Sequence, residues 1–199
     1  MQSLMQQALG ADWNALPPAL QAHYQRGTNT DTGHLDIEFP AFMRLPLRGL
    51  RLLGALVHRD GKQIPTTVSK QMEGECQRWQ RSITFPDGQV IYFKSFWIAA
   101  GEDNPNQLIE FVNPFLGLQM AVSVRDAKLY YEGVRFVLQI GKLRLPIPEW
   151  LALGHTDIVE TAVDDQHFDM DFRLTHPLLG QIFRYAGRFN ATPSPAQTH

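Results

Sequence analysis

Three short constellations in this chain carry side chains that could do chemistry. The first is His167-Phe168-Asp169-Met170-Asp171. Polar and apolar residues alternate there, so His167, Asp169 and Asp171 share one face of a strand. An imidazole and two carboxylates can ligate a metal ion. The spacing is loose for one ion, because i to i+4 along a strand covers ~13 Å at a rise of ~3.3 Å per residue. A solvated polar face is the favoured reading, and no metal is expected.

The second constellation is Trp79-Gln80-Arg81, which puts an aromatic ring and a guanidinium on the same strand face. If that face lines an interior, Arg81 needs a carboxylate or a ligand anion, because an unpaired buried charge is costly. Glu110, Glu132 and Glu160 are available on other strands, and an internal Arg–Glu pair is favoured over an anion anchor. The third is His176, placed before Pro177 at a turn. Histidine serves as a general base near neutral pH, but only beside a partner such as Asp157 or Glu160. A turn residue bonded to neighbouring backbone is the favoured reading. Cys76 has no nucleophile motif around it and reads as a small buried hydrophobe. Gly-rich phosphate loops, Gly-x-Ser-x-Gly elbows and Cys-x-x-Cys pairs are absent, which counts against the commonest enzyme classes. An uncharacterised enzyme would have to use His176 or His167 with nearby carboxylates.

The elements that must position these residues are mostly strands. Gln166 to Thr175 has Phe168, Met170, Phe172 and Leu174 on one parity, and His176-Pro177-Leu178-Leu179-Gly180 breaks the run. A second run carries Phe183, Tyr185 and Phe189, completing an antiparallel hairpin. Upstream, His34–Phe39, Ile64–Glu73, Cys76–Phe85, Gln89–Ile98, Leu108–Val112, Leu118–Val124, Tyr130–Ile140 and Thr156–Val163 all read as strands. In Tyr130–Ile140, Val134, Phe136, Leu138 and Ile140 share the expected inner face. Residues 145–151 read as a rigid apolar crossing segment, and Gly27–Gly33 as a polar loop.

Two short helices are expected near the N-terminus. One runs from about Pro17 to Gln25 with Leu16, Leu20 and Tyr24 on a stripe; whether Leu4 to Ala8 forms a further turn is left open. The other spans Leu47 to His58, with Leu47, Leu50, Leu53 and Val57 at helical spacing. Begun near Arg44, it gathers Arg44, Arg48 and Arg51 on its opposite side, a stripe suited at most to peripheral contact with an anionic membrane. The predicted fold is mainly β: a curled antiparallel meander, barrel or half-barrel, of roughly nine or ten strands, because closure removes exposed edges. One domain over residues 1–190 and a disordered tail over 191–199 are expected.

Bulk properties agree with a globular chain. Of 199 residues, 44% are hydrophobic and 19% charged, enough apolar content to fill a core. The formal charge of −2 gives no basic surface of the kind nucleic acid demands. The single cysteine rules out an intrachain disulfide and suits a reducing compartment. Met1 to Leu20 lacks a basic segment followed by an apolar one, so no signal peptide is expected. No apolar run approaches the ~18 residues of a membrane span. A cytoplasmic setting follows as the expectation.

Several segments together resemble the DUF4166 family of bacterial proteins. They are Leu16-Pro17-Pro18-Ala19-Leu20 with Tyr24, Arg48-Gly49, Gly74 with Trp79-Gln80-Arg81, and Leu145-Pro146-Ile147-Pro148 with Trp150-Leu151. The clearest is Phe168 to Gly187, including His176 to Gly180 and Tyr185-Ala186-Gly187. The resemblance implies a module that can stand alone or beside an NAD-dependent epimerase- or dehydrogenase-like domain, here on a separate polypeptide. It supplies no catalytic residues and no cofactor.

The leading functional expectation is non-catalytic binding of an apolar or amphipathic small molecule inside the curled sheet. It rests on aromatic density at inward parities, with Trp79, Arg81, Tyr131, Phe136, Phe172 and Tyr185 as candidate ligand contacts. Arg81 and Tyr131 are the expected polar anchors. The alternative is an accessory protein docking on a separate dehydrogenase-like enzyme or on the membrane surface.

Overall fold

The computed structural model describes residues 2–52, 54 and 56–191. Two short helices precede eleven strands and a third lies between the first two strands: β1 Asn29–Glu38, β2 Gly61–Glu73, β3 Cys76–Thr84, β4 Val90–Ala99, β5 Gln107–Phe111 and β6 Leu116–Arg125. The rest are β7 Lys128–Ile140, β8 Leu143–Ile147, β9 His155–Ala162, β10 His167–His176 and β11 Gly180–Asn190. Every pairing is antiparallel. β1 to β7 pair in sequence, β7 passes to β9, and β11 returns to β1. The result is a closed ten-stranded barrel, with β8 as one extra strand beside β7. Barrel diameter grows with strand number, and ten strands leave more lumen than the eight whose side chains just fill it.

The alternation seen in sequence builds the inner wall. Leu35 and Ile37 of β1, Ile64 and Val68 of β2, Trp79 and Ile83 of β3 and Phe168, Phe172 and Leu174 of β10 all belong to one buried core. The β10–β11 hairpin forms as expected, with Phe172 opposite Tyr185 and the two rings stacked at 4.5 Å between centroids.

Helices α1 (Leu4–Leu9) and α2 (Pro18–Tyr24) close one end of the barrel. Ser3 and Gln6 form a reciprocal capping box that satisfies two orphan donors at the start of α1. Pro17 and Pro18 sit where α2 begins and its amides need no intrahelical partner. The other end, where β1, β3, β5, β7 and β10 finish, carries α3 (Arg44–Leu52) and stays more open. Among the described residues, no helix is long and apolar enough to cross a membrane.

Several boundaries differ from the sequence reading. The stretch read as a polar loop over Gly27–Gly33 is mostly strand: β1 starts at Asn29, and Asn29 and Asp31 point inward and find partners there. Residues 145–151 are not a plain crossing segment, since Leu143–Ile147 pairs with β7. Pro146 is tolerated there because β8 is an edge with no neighbour on its far side. In β7 the inner face predicted for Val134, Phe136, Leu138 and Ile140 holds at Phe136, which is buried and lines the lumen, and fails at Val134 and Ile140. A bulge between the β6 partners Gln119 and Met120 leaves Val134 unpaired, and inward parity jumps from Leu129 and Tyr131 to Phe136. Val134 and Ile140 are exposed. α3 starts earlier than Leu47 and stops at Leu52, ahead of Gly54 in a left-handed conformation (φ 68°). Leu53 and the tail beyond Ala191 lie outside the described residues.

Candidate functional site

The barrel interior holds two adjoining chambers stacked along its axis. The outer chamber, about 80 Å3, lies toward the α3 end and is walled by apolar side chains that include Ile37, Ile83, Phe136 and Phe172. Leu56, Val57 and Leu153, from the connections at that end, form its mouth. The inner chamber, about 40 Å3, lies toward the helix-capped end and is lined by His23, Tyr24, Trp79, Trp97, Tyr131 and Glu160. Arg81, Glu110, Leu35 and Tyr185 line both, so they form the partition.

At the partition Arg81 meets Glu110 at 3.3 Å, and Ser95 donates to the same carboxylate oxygen at 2.6 Å. The three residues come from β3, β4 and β5, whose inner parities bring them to one height. The Arg81 guanidinium also lies 5.2 Å from the ring centres of Trp79 and Phe93. Arg81 is therefore neutralised from within the barrel, as an internal Arg–Glu pair. Of the three carboxylates open to it in the sequence, Glu110 is the one it takes. Burial drives the Tyr185 hydroxyl up to about 12, keeping it a neutral donor.

Below the partition sits a polar cluster. Lys70 of β2 reaches Asp31 of β1 at 2.8 Å, and His23 Nδ1 from α2 reaches the same Asp31 oxygen at 2.6 Å. Lys70 also donates to the carbonyl of His23. Burial, helped by the Lys70 ammonium, pushes His23 down to about 4 against the pull of Asp31, so the ring is neutral at pH 7. Burial likewise lowers Lys70 to about 8, with Asp31 opposing the shift. Desolvation works to raise Asp31, but His23 and Lys70 outweigh it and hold the carboxylate ionised. Across the chamber Tyr131 donates to the hydroxyl of Tyr24, which donates to Glu160 at 2.8 and 2.9 Å. Burial lifts Glu160 to about 7, although the Tyr24 hydrogen bond and the Lys70 charge work against it.

Lys70 is paired with Asp31 and Arg81 with Glu110, while burial favours the neutral form of Glu160. Such a floor has no net attraction for an ionised group. It can exchange hydrogen bonds with a neutral hydroxyl or carbonyl, and Glu160 can do so as donor or acceptor. The indole N–H groups of Trp79 and Trp97 and the Oδ1 of Asp31 are buried without a hydrogen-bond partner among the described residues. Each such group costs stability, and the two indoles line the inner chamber, where a bound oxygen would satisfy them.

All six residues proposed as ligand contacts face the lumen. Arg81, Phe136, Phe172 and Tyr185 line the outer chamber; Trp79 and Tyr131 line the inner one. The other candidates lie elsewhere. His167 bonds Asp164 at 2.9 Å in the β9–β10 turn, while Asp169 pairs with Arg188 and Asp171 with Arg184 and Arg173 on the outer wall. His176 is engaged at both ring nitrogens, by the carbonyl of Trp150 and the amide of Leu178. Sequence reading missed His23, Tyr24, Asp31 and Lys70 as site residues. Parity alone could have found Lys70, which shares its face with Ile64 and Val68.

The profile of the family described as a domain of unknown function, DUF4166, matches residues 16–189. The chain belongs to that family. A comparison with curated proteins finds no match.

Proposed function

We propose that this DUF4166 protein is a non-catalytic carrier for a slender amphipathic small molecule held inside the barrel. The observation that carries the proposal is the order of the two chambers: apolar beneath the mouth, polar and charge-balanced beyond it. The apolar body of the ligand occupies the outer chamber, and a neutral hydroxyl or carbonyl end hydrogen-bonds at or below the partition. The volumes are small beside the roughly 300–1,000 Å3 of sites for drug-sized ligands. The occupant is therefore chain-like or a single small ring system, and a longer molecule would extend out through the mouth. A cytoplasmic setting, with Cys76 kept reduced, suits such a carrier.

The test is binding of N-phenyl-1-naphthylamine, followed by its fluorescence and by energy transfer from Trp79 and Trp97, with a long-chain alcohol as competitor. Saturable binding at one probe per chain, competed by the alcohol, is expected. Leu153→Trp, which narrows the mouth, weakens it at least about tenfold, or 1.4 kcal/mol. No saturable binding, or binding indifferent to Leu153→Trp, overturns the reading.

A further inference from the structure

The apolar residues that the fold leaves exposed are not scattered. Among the large exposed hydrophobic side chains, all but Val134 and Val163 lie at the α3 end of the barrel. Eight of them come from four separate connections. Phe42, Leu45 and Leu52 lie in or just before α3, Phe115 in the β5–β6 turn, Trp150 between β8 and β9, and Leu178 in the β10–β11 turn. These connections abut around the mouth: the carbonyl of Trp150 meets His176, and the carbonyl of Phe115 accepts from Gln139 of β7. Single exposed hydrophobes need no explanation, but a ring of them around one opening does.

α3 shows what the ring is built to meet. At 100° per residue, Leu47 and Leu50 face the barrel, Leu45 and Leu52 lie directly opposite them, and Arg44, Arg48 and Arg51 form one flank between the two leucine pairs. Leu45 is 77% and Leu52 88% exposed. A helix whose outward face met only water would not present two leucines there, beside a flank of arginines. Neither Arg44 nor Arg48 has an ion-pair partner among the described residues, and Arg51 contacts only His58. Burial and the nearby charges of Arg51, Arg59 and Arg48 depress His58, which marks the region as positive although the chain carries −2 overall.

We infer that the mouth of the barrel docks on an anionic membrane surface, with Leu45 and Leu52 inserted among the acyl chains and Arg44, Arg48 and Arg51 at the phosphate level. Amphipathic helices with basic and apolar residues bind this way, and tryptophan near the rim suits the interfacial region. Charge separates this occupant from a second copy of the chain, which would set arginines against arginines. The docking stands on the surface alone; only its purpose, transfer of ligand between bilayer and lumen, rests on the carrier reading.

The experiment is co-flotation of the full chain with phosphatidylcholine vesicles, with and without phosphatidylglycerol. Binding only when phosphatidylglycerol is present, weakened by added salt, is the expected result. At about fivefold per arginine, Arg44→Gln/Arg48→Gln lowers partitioning about 25-fold. Leu45→Asp/Leu52→Asp abolishes it at any salt concentration. These positions are exposed, so unchanged melting confirms that the variants fold. Arg44→Gln/Arg48→Gln should still bind N-phenyl-1-naphthylamine like the parent chain, which separates failure of docking from failure of ligand binding. Flotation unaffected by the arginine or leucine pairs, no flotation with phosphatidylglycerol, or a dimer in light scattering that Leu45→Asp/Leu52→Asp dissolves would each overturn the inference.

Discussion

Lys70 and Asp31 meet 2.8 Å apart inside the barrel, on neighbouring strands, with side chains 1% and 0% exposed. Breaking such a pair from one side is costly, because the remaining charge loses both its partner and any access to water. With His23 neutral, Asp31 has no second cation in contact. Lys70→Met should therefore cost about 3–5 kcal/mol. Replacing both partners, as Lys70→Met/Asp31→Leu, should recover most of that loss. A double-mutant cycle in urea measures the coupling; additive losses would mean the pair does not act as a unit.

The pH dependence of stability reports on the other side of the chamber. Glu160 is lifted from 4.5 to about 7 by burial, so between those values the unfolded chain has released a proton that the folded chain keeps. Stability from this group is full below pH 4.5 and falls as pH rises to 7, by at most about 3 kcal/mol. His23, lowered from 6.5 to about 4, works in the opposite sense: the unfolded chain binds the extra proton, and stability rises with pH across that range. The two nearly cancel between pH 4.5 and 6.5 in the parent protein. Glu160→Gln removes one of them, so the stability of the variant relative to the parent should rise from pH 4.5 to 7.5. Denaturation curves at those two pH values decide the matter, and a constant difference would place the Glu160 pKa near its ordinary value.

The barrel was largely legible because closure depends on patterns that a strand writes at period two. Phe168 to Leu174, Ile64 to Val68 and Trp79 to Ile83 each show their inner face in sequence. The β7 bulge was not legible, since one unpaired residue at Val134 inverts every parity after it without changing composition. The polar chamber was hidden for a different reason. Asp31 lies in a run of Asn, Thr, Asp and Gly that reads as loop, and the partners that let it point inward, Lys70 and His23, come from elsewhere in the chain. The contacts at Arg81 and Tyr131 could be proposed from side-chain type. The Tyr131–Tyr24–Glu160 chain joins residues far apart in sequence and needed the fold.

Gly187 and Gly33 mark where β11 and β1 close the barrel, and they supply the last prediction. A Cβ on Gly187 would run into the carbonyl oxygen of His34, and one on Gly33 into that of Arg188. His34 and Arg188 are themselves paired, so the two glycines lie on either side of one contact between the strands. The obstructing atoms are backbone, which cannot swing aside as a side chain would. Gly187→Ala should cost about 1–3 kcal/mol through forced separation of β1 from β11. Gly49 provides the contrast: it is helical, exposed, and nothing lies within 4 Å of its Cβ position. Gly49→Ala should stabilise the protein by up to about 1 kcal/mol through helix propensity. Because Gly49 sits among Arg48, Leu52 and the mouth, its variant should keep vesicle binding, whereas loosening β1 from β11 should weaken N-phenyl-1-naphthylamine binding by disturbing Leu35 and Tyr185 at the partition. Equal stability of the two alanine variants would mean that the seam yields more easily than its geometry implies.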